Sequence, residues 1–353
     1  MNNLNNVQWG EVRLSDIFKT ISRGKVSDLH NVDSGKYAII AAAGVNEGLS
    51  CFSNISPCAR NAMTISFNGV GTGTAFVHNY PFNLNSDCGL VKPIENLKIE
   101  VLQFIAVAIN KNKDKFSYGY KANENRLLRQ KVMLPITEAG KPDYDFMERY
   151  VKELKESKRA EYINYAKRQL SRIRLEKTDR LTEWQPYDIK SVCNIHASSS
   201  SIDKQKLKTD QSEETTPYVT RSDVNNGIQF FIGEQPRPHD EANAITIGLD
   251  TQTVFYQPYC FYTGQNIQVL ENKELTRENA LFMIPLLKIQ MQKFNWGGNG
   301  ATLGRLKRTK IMLPTKNGKP DYDYMSNNMK EIIAKRYQEY IDYSTKAGLK
   351  TGT

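Results

Sequence analysis

Apolar and polar positions along this chain fall into a fixed succession of rhythms, and the succession occurs twice. Short apolar or β-branched runs broken by Gly, Asn, Pro and Ser come first, the pattern of strands and turns. They lie at 36–40, 62–67, 74–78 and 89–91, and again at 216–220, 244–248, 253–257 and 266–270. An apolar, helix-like segment follows each set, at 99–110 and at 277–293. Pro285 inside the second predicts a break or kink there. Each pass then ends in a long charged run. From Asp143 to about Ile173 apolar side chains recur at Met147, Val151, Leu154, Tyr162, Ala166, Leu170 and Ile173, steps that trace one helix face. The second run repeats the stripe with Met325, Met329, Ile332, Tyr337 and Tyr340. Asp143 and Asp321, each just after a proline, suit the helix N-termini.

The duplication is also literal. Residues 131–147 read KVMLPITEAGKPDYDFM and residues 310–325 read KIMLPTKNGKPDYDYM. Tyr-Ile-Asn-Tyr at 162–165 answers to Tyr-Ile-Asp-Tyr at 340–343, and Trp9 to Trp184. A tandem repeat of roughly 175 residues makes two domains, each long enough to bury its own core. A helix of some 30 residues would be ~45 Å long, too long for its whole stripe to lie on one compact head. The partner it predicts is the equivalent stripe of the other copy, the two helices forming an axle that holds two heads a fixed distance apart. The alternative is that each helix folds back on its own head. Residues 167–183, strongly basic, read as helix end and connector, 198–201 and the polar run to 214 as a flexible surface loop, and the last residues as a frayed tail.

Composition narrows the class. Apolar residues make up 39% and charged residues 24%, as in globular chains, and no apolar run approaches a membrane span. The start, MNNLNNVQWG, lacks a signal peptide's basic and apolar regions, and five unpaired-looking cysteines (51, 58, 88, 193, 260) argue against a secreted disulfide scaffold. The cytoplasm is the expected location. A net charge of +10 favours a polyanionic partner.

Catalytic motifs are missing where they would be needed. An amino-methyltransferase requires a Pro-Pro-aromatic motif, and the chain has no Pro-Pro. Residues 68–74 (NGVGTGT) imitate a nucleotide loop but run into a strand, so a tight hairpin is the reading. Gly297-Gly298-Asn299-Gly300 lacks the Lys and Ser/Thr of a phosphate-binding loop. The nuclease-like spacing Asp143…Glu153-Leu154-Lys155 has no counterpart after Asp321. The histidines (30, 78, 196, 239) have no acid or cysteine at metal-ligand spacing.

The Leu-Pro…Gly-Lys-Pro-Asp-Tyr-Asp-Phe/Tyr-Met element, present twice and each time followed by a long charged helix, resembles the DNA-specificity subunits of bacterial restriction–modification systems, both type I and type IIB. Phe255-Tyr256-Gln257-Pro258 leading to 261–266 (FYTGQN) resembles them too. The resemblance implies an α/β (α+β) fold of two tandem mixed-sheet target-recognition domains, 1–142 and 177–320. It also implies two long antiparallel spacer helices, 143–176 and 321–353 with the tail, in a pseudo-twofold arrangement. Each head would read half of a bipartite site in double-stranded DNA. Catalysis would belong to modification (methyltransferase) subunits, separate or fused to a nuclease, that bind S-adenosylmethionine and Mg²⁺; this chain would carry no cofactor. One copy or a homodimer per assembly both fit, as does a non-DNA alternative in which the heads are protein-binding surfaces and the basic charge is incidental.

Base reading needs Arg or Lys forks for guanine and Asn or Gln amides for adenine, on loops that reach the major groove. In the first copy the candidates are Arg23, Lys25, Arg60, Asn68, Lys121, Asn123, Asn125 and Arg126, with Tyr118 and Tyr120 interleaved. In the second they are Arg221, Asn225, Arg237, His239, Asn299, Arg305 and Lys307, with Arg308 beside them. Arg126 and Arg305 align, so a structural or phosphate-holding role common to both heads is also open. Met147, Val151, Leu154 and Tyr162, with Met325, Met329, Ile332 and Tyr337, are the expected spacer-helix packing residues.

Overall fold

The computed structural model describes residues 4–29, 31–69, 71–117, 119–175, 182–208, 215–294 and 300–350. It divides into two compact units, Met1–Tyr162 and Ile163–Thr353, the division falling inside a long helix. The first unit contains β1 (Trp9–Arg13), β2 (Phe18–Arg23), β3 (Ser34–Ile40), β4 (Leu49–Ser53), β5 (Ala62–Ser66), β6 (Ala75–His78), β7 (Phe82–Leu84), β8 (Cys88–Pro93), helices α1 (Ile99–Asn110) and α2 (Glu124–Leu128), β9 (Lys131–Pro135) and the start of α3 (Tyr144–Arg172). The second contains β10 (Glu183–Asp188), α4 (Ile189–Val192), β11 (Asn194–Ala197), β12 (Thr216–Val219), β13 (Ile228–Ile232), β14 (Ala244–Gly248), β15 (Val254–Gln257), β16 (Tyr262–Thr263), β17 (Ile267–Glu271), α5 (Arg277–Met291), α6 (Leu303–Arg308), β18 (Lys310–Lys316), β19 (Lys319–Pro320) and α7 (Tyr322–Lys350).

Sheet order in the first unit is β2-β8-β5-β6, β4-β3-β7 and β1-β9; in the second it is β11-β17-β14-β15, β13-β12-β16 and β10-β18-β19. Moved by one repeat the pairings coincide, down to the parallel pairings of β3 with β7 and β12 with β16 among antiparallel neighbours, except that β19 joins β18 where the first unit has a single bridge between Ile136 and Pro142. The repeated sequence is therefore a repeated topology, and the strand and first-helix expectations hold in both copies.

The most strongly repeated string is a junction. β9 returns beside β1, setting Leu134 opposite Gly10 and Pro135 opposite Trp9; β18 and β10 set Pro314 opposite Trp184. The chain then turns through Gly140 or Gly318, both at φ +73°, a region that only glycine enters without cost. The Asp143 N–H donates to the Pro135 carbonyl and the Asp321 N–H to the Pro314 carbonyl, each at 2.8 Å. Each aspartate also caps its helix, accepting from the N–H of Phe146 or Tyr324 at 2.9 Å.

The first turns of α3 and α7 stay on their own heads. Met147 and Met325, expected on an inter-helix stripe, are instead fully buried in the cores of their own units beside Leu134 and Leu313, because the junction directs the first helical turn inward. Val151 and Leu154 line an apolar groove of about 520 Å³ with Trp9, Phe104 and Met133 of the same unit. Tyr162 and Ile332 are exposed and Met329 is half-buried. Farther along, within the second unit, Tyr165 meets Tyr337 edge-on at 6.1 Å, so a residue of the α7 stripe does contact α3.

Two local expectations are corrected. Of the break or kink expected at Pro285, the break is absent: α5 runs through it as one element. Pro285 is exposed, while Met283, Leu287 and Met291 keep the opposite face buried, so the ring stands on the solvent side of the helix. Residues 198–201 are not a flexible surface loop either. Ser198 and Ser200 are buried; Ser198 donates to Asp240, Asp240 also accepts from the Ser199 N–H at 2.8 Å, and the Thr263 N–H donates to the Ser200 hydroxyl at 2.8 Å. The connector at 176–181, the polar run at 209–214 and the last three residues lie outside the described residues.

One buried polar pair is built differently in the two copies. In the first, Thr64 and His78 Nε2 are 2.9 Å apart on β5 and β6, and Nδ1 lies 3.2 Å from the Tyr80 hydroxyl, which donates to Glu47. That chain leaves Nε2 to accept from Thr64 and keeps the ring neutral. In the second, Gln257 donates to Thr246 at 3.0 Å in the same place. Burial holds the His78 pKa down at about 4, below its ordinary 6.5. The unfolded chain therefore takes up a proton that the folded chain refuses, and stability falls as pH drops from about 6.5 to about 4. The loss from this one group is ~3 kcal/mol, levelling off below that window. Urea melts at stepped pH will show this acid loss in the native chain and its removal in His78→Gln, the residue already used by the second copy. Asp143→Ala and Asp321→Ala will each cost ~1 kcal/mol in the same melts, through lost helix caps.

Candidate nucleic-acid interface

Loop-borne cations and amides are supplied in number by both units, but the folded chain engages many of them. Arg126 in α2 donates to the Lys121 carbonyl at 2.6 Å and lies 4.0 Å over the Tyr120 ring. Arg305 in α6 donates to the Gly300 carbonyl at 2.9 Å. Both arginines thus clamp the carbonyl five residues back, fixing the loop that leads into a short helix, a structural contact common to the two units. Asn123 is the α2 N-cap, accepting from the Arg126 N–H at 3.0 Å. Arg23 donates to the Ser86 carbonyl at 2.8 Å and stacks on Phe67. Arg237 donates to the carbonyls of Ser200 and Ser201 at 2.8 and 3.3 Å, tying down the buried serine segment. His239 lies edge-on to Tyr262 at 6.1 Å, with Nδ1 3.3 Å from the Asp240 carbonyl.

Asn68 makes a hydrogen bond from its amide to Asp87, joining the turn after β5 to the turn before β8. The second copy holds the same join with the partners exchanged: Asn266 donates to Asp250 at 3.4 Å. Asp250 also forms an ion pair with Arg221. Hydrogen-bond chemistry is preserved at this point while identity is not.

Other candidates stay open to solvent. Lys25, Arg60, Asn125 and Asn225 are exposed and make no side-chain hydrogen bond among the described residues. Lys121 is exposed and Lys307 half-buried. Asn299, with the turn 296–298, and Tyr118 lie outside the described residues. Asn225 occupies the tip of the β12–β13 hairpin, where Asn225, Asn226 and Gly227 all have positive φ. The β3–β4 tip repeats this with Asn46, Glu47 and Gly48. An exposed valine, Val45 or Val224, precedes each tip.

The second unit also has a concavity of about 410 Å³ lined by Arg221, Thr220 and Gly264, with Gln229 and Gln265 exposed at its rim. Neither glutamine stood out in the sequence. Aligning the two copies on their strand pairings, rather than on composition, would have shown both. Among the described residues no group of three or more His, Cys, Asp or Glu is placed to hold a metal ion, and no helix is long and apolar enough to cross a membrane.

Comparison with known proteins accords with this layout. The type I restriction modification DNA specificity domain matches the chain twice, over residues 6–165 and 182–340. The specificity subunit of the type II restriction enzyme BcgI from Heyndrickxia coagulans is 32% identical over 130 residues, covering 36% of this chain and 38% of that one. A chain named as a type I specificity subunit in Mycoplasma pneumoniae is 29% identical over 303 residues, covering 83% of this chain and 81% of its own. The crystal structure of a type I restriction–modification S subunit from M. genitalium superposes over 99% of this chain and 95% of its own, with a TM-score of 0.50 at 12% identity, a likeness of fold. With both halves matched and the same topology built twice, the chain belongs to the type I restriction–modification DNA specificity domain family.

Proposed function

We propose that this chain is the sequence-reading subunit of a restriction–modification complex: each unit recognises one half of a bipartite site in double-stranded DNA, and partner methyltransferase subunits perform the chemistry. The observation that carries the reading is one topology built twice around unlike surface residues. Two like frames with different exposed side chains suit two different half-sites, whereas two identical readers would need identical loops. The domains at 1–142 and 177–320 act as the target-recognition heads, and α3 and α7 act as the spacers between them. S-adenosylmethionine and Mg²⁺ belong to the partners, and the assembly works in the cytoplasm on the cell's own and invading DNA. Cationic side chains exposed on both units, such as Lys25, Arg60 and Lys121 on the first and Lys206 and Arg308 on the second, supply a sequence-independent attraction to phosphates, which makes duplex binding steeply salt-dependent.

The test is a head exchange. The chain is co-purified with its methyltransferase partners, and methylated adenines are mapped across a genome. Replacing residues 9–130 by the corresponding segment of another family member will change one half of the methylated motif and leave the other; a change in both halves would reject modular heads. Spacing has its own measurement. Inserting two helical turns, about seven residues, after Leu154 and before Tyr337 lengthens each helix by ~10 Å, or about three base-pair steps. The gap between the half-sites will widen correspondingly, and an unchanged gap would reject the spacer role.

A further inference from the structure

We infer that Arg221, Gln229 and Gln265 are specificity-determining residues that read purine edges in the half-site recognised by the second unit. The inference rests on the reading of the chain as a DNA-recognition subunit and says which residues perform that recognition in one head.

The observation is an asymmetry between equivalent positions. Backbone hydrogen bonds fix the correspondence: the Thr220 N–H donates to the Gly227 carbonyl as Ala41 does to Gly48, and the Gly264 N–H to the Val219 carbonyl as Asn85 does to Ile40. One residue on from these anchors, Arg221 stands where the first unit has Ala42, and Gln265 where it has Ser86. On the adjoining strand Gln229 stands where it has Ser50. Three long forked side chains thus replace an alanine and two serines on one backbone frame. They converge on a single concavity of about 410 Å³, which Asp203 and Lys204 also line and which has Ile202, Tyr218 and Gly264 as its buried residues.

The chemistry suits a base edge. Arg221 is oriented by its ion pair with Asp250, itself held by Asn266, so the guanidinium fork is set before any ligand arrives. Gln229 and Gln265 are exposed, and their amides make no hydrogen bond among the described residues, so each keeps a free donor beside a free acceptor. That donor–acceptor pair matches N6 and N7 of adenine in the major groove, and the arginine fork matches O6 and N7 of guanine. Gln257, by contrast, spends its amide on Thr246 and Asn226 inside the fold and is no reader.

The test uses the full chain in its complex with the co-purifying methyltransferase subunits, reading methylation across a randomised duplex library. Gln229→Ser and Gln265→Ser install the residue that the first unit already carries on the same frame, which guards against loss of folding; unchanged melting temperatures check it. Each variant will relax preference by about 10- to 100-fold at one adenine of one half-site and leave the other half-site intact. Arg221→Lys keeps the charge and loses the fork, and will relax preference at a guanine in that same half. A uniform loss on all sequences would reassign these side chains to the phosphate backbone and overturn the inference, as would an unchanged motif or a change in both halves. A wild-type complex that methylates without sequence preference would instead overturn the recognition reading itself.

Discussion

Each unit is closed by one long-range strand pairing, β1 with β9 or β10 with β18, and the rest of the architecture hangs from it. The pairing brings the start of a unit against residues more than a hundred positions later, at a loop-closure cost that only a shared core repays. It also fixes where the long helix leaves. Strand end, glycine turn and aspartate cap follow within about ten residues of each other in both copies, leaving the first helical turn little choice of direction. A helix launched this way inherits its orientation from a sheet. The string that repeats best in the sequence is accordingly the one with the most backbone duties.

Around that closure the two units solve the same small problems with different residues. A neutral histidine and a glutamine hold the same threonine position, and an asparagine and an aspartate trade places across the same turn. A carboxylate braces the left-handed tip at Glu47 through Tyr80, while at Asn226 an amide does so through the Tyr256 carbonyl. What persists is the geometry of donor and acceptor; what changes is the charge that carries it. A frame tolerant in this sense can accept new surface chemistry without losing its register.

The frame was legible in the sequence because its signals are local and doubled. Short apolar or β-branched runs marked four strands of each unit, and apolar steps along one face marked α3 and α7. Asp143 and Asp321 announced their caps. The site was harder to read because an arginine or asparagine looks the same in sequence whether it faces solvent or a carbonyl. Asn123 caps a helix, Arg126 and Arg305 clamp loops, and Arg237 holds a buried serine segment, yet each has the composition of a base reader. Gln265 was visible only as part of the FYTGQN string and Gln229 not at all; the strand register and backbone bonds show that they stand where the first unit has serines. Pro285 signalled a break that is absent, since its ring stands on the exposed side of a helix whose other face is held in the core.

The exchanged amide and carboxylate carry a consequence for how such a gene can change. A crossover between the two repeats that fell inside β6 or β7 would join Asp250 to Asp87, setting two anions against each other, or Asn68 to Asn266, leaving no anion at all. The first hybrid loses its donor and the second keeps only a neutral amide bond, so a piecemeal exchange weakens the join in either direction. An exchange at the ends of a unit leaves both partners of the join together. The duplication can thus remain a duplication in shape while its halves go on diverging in what they recognise.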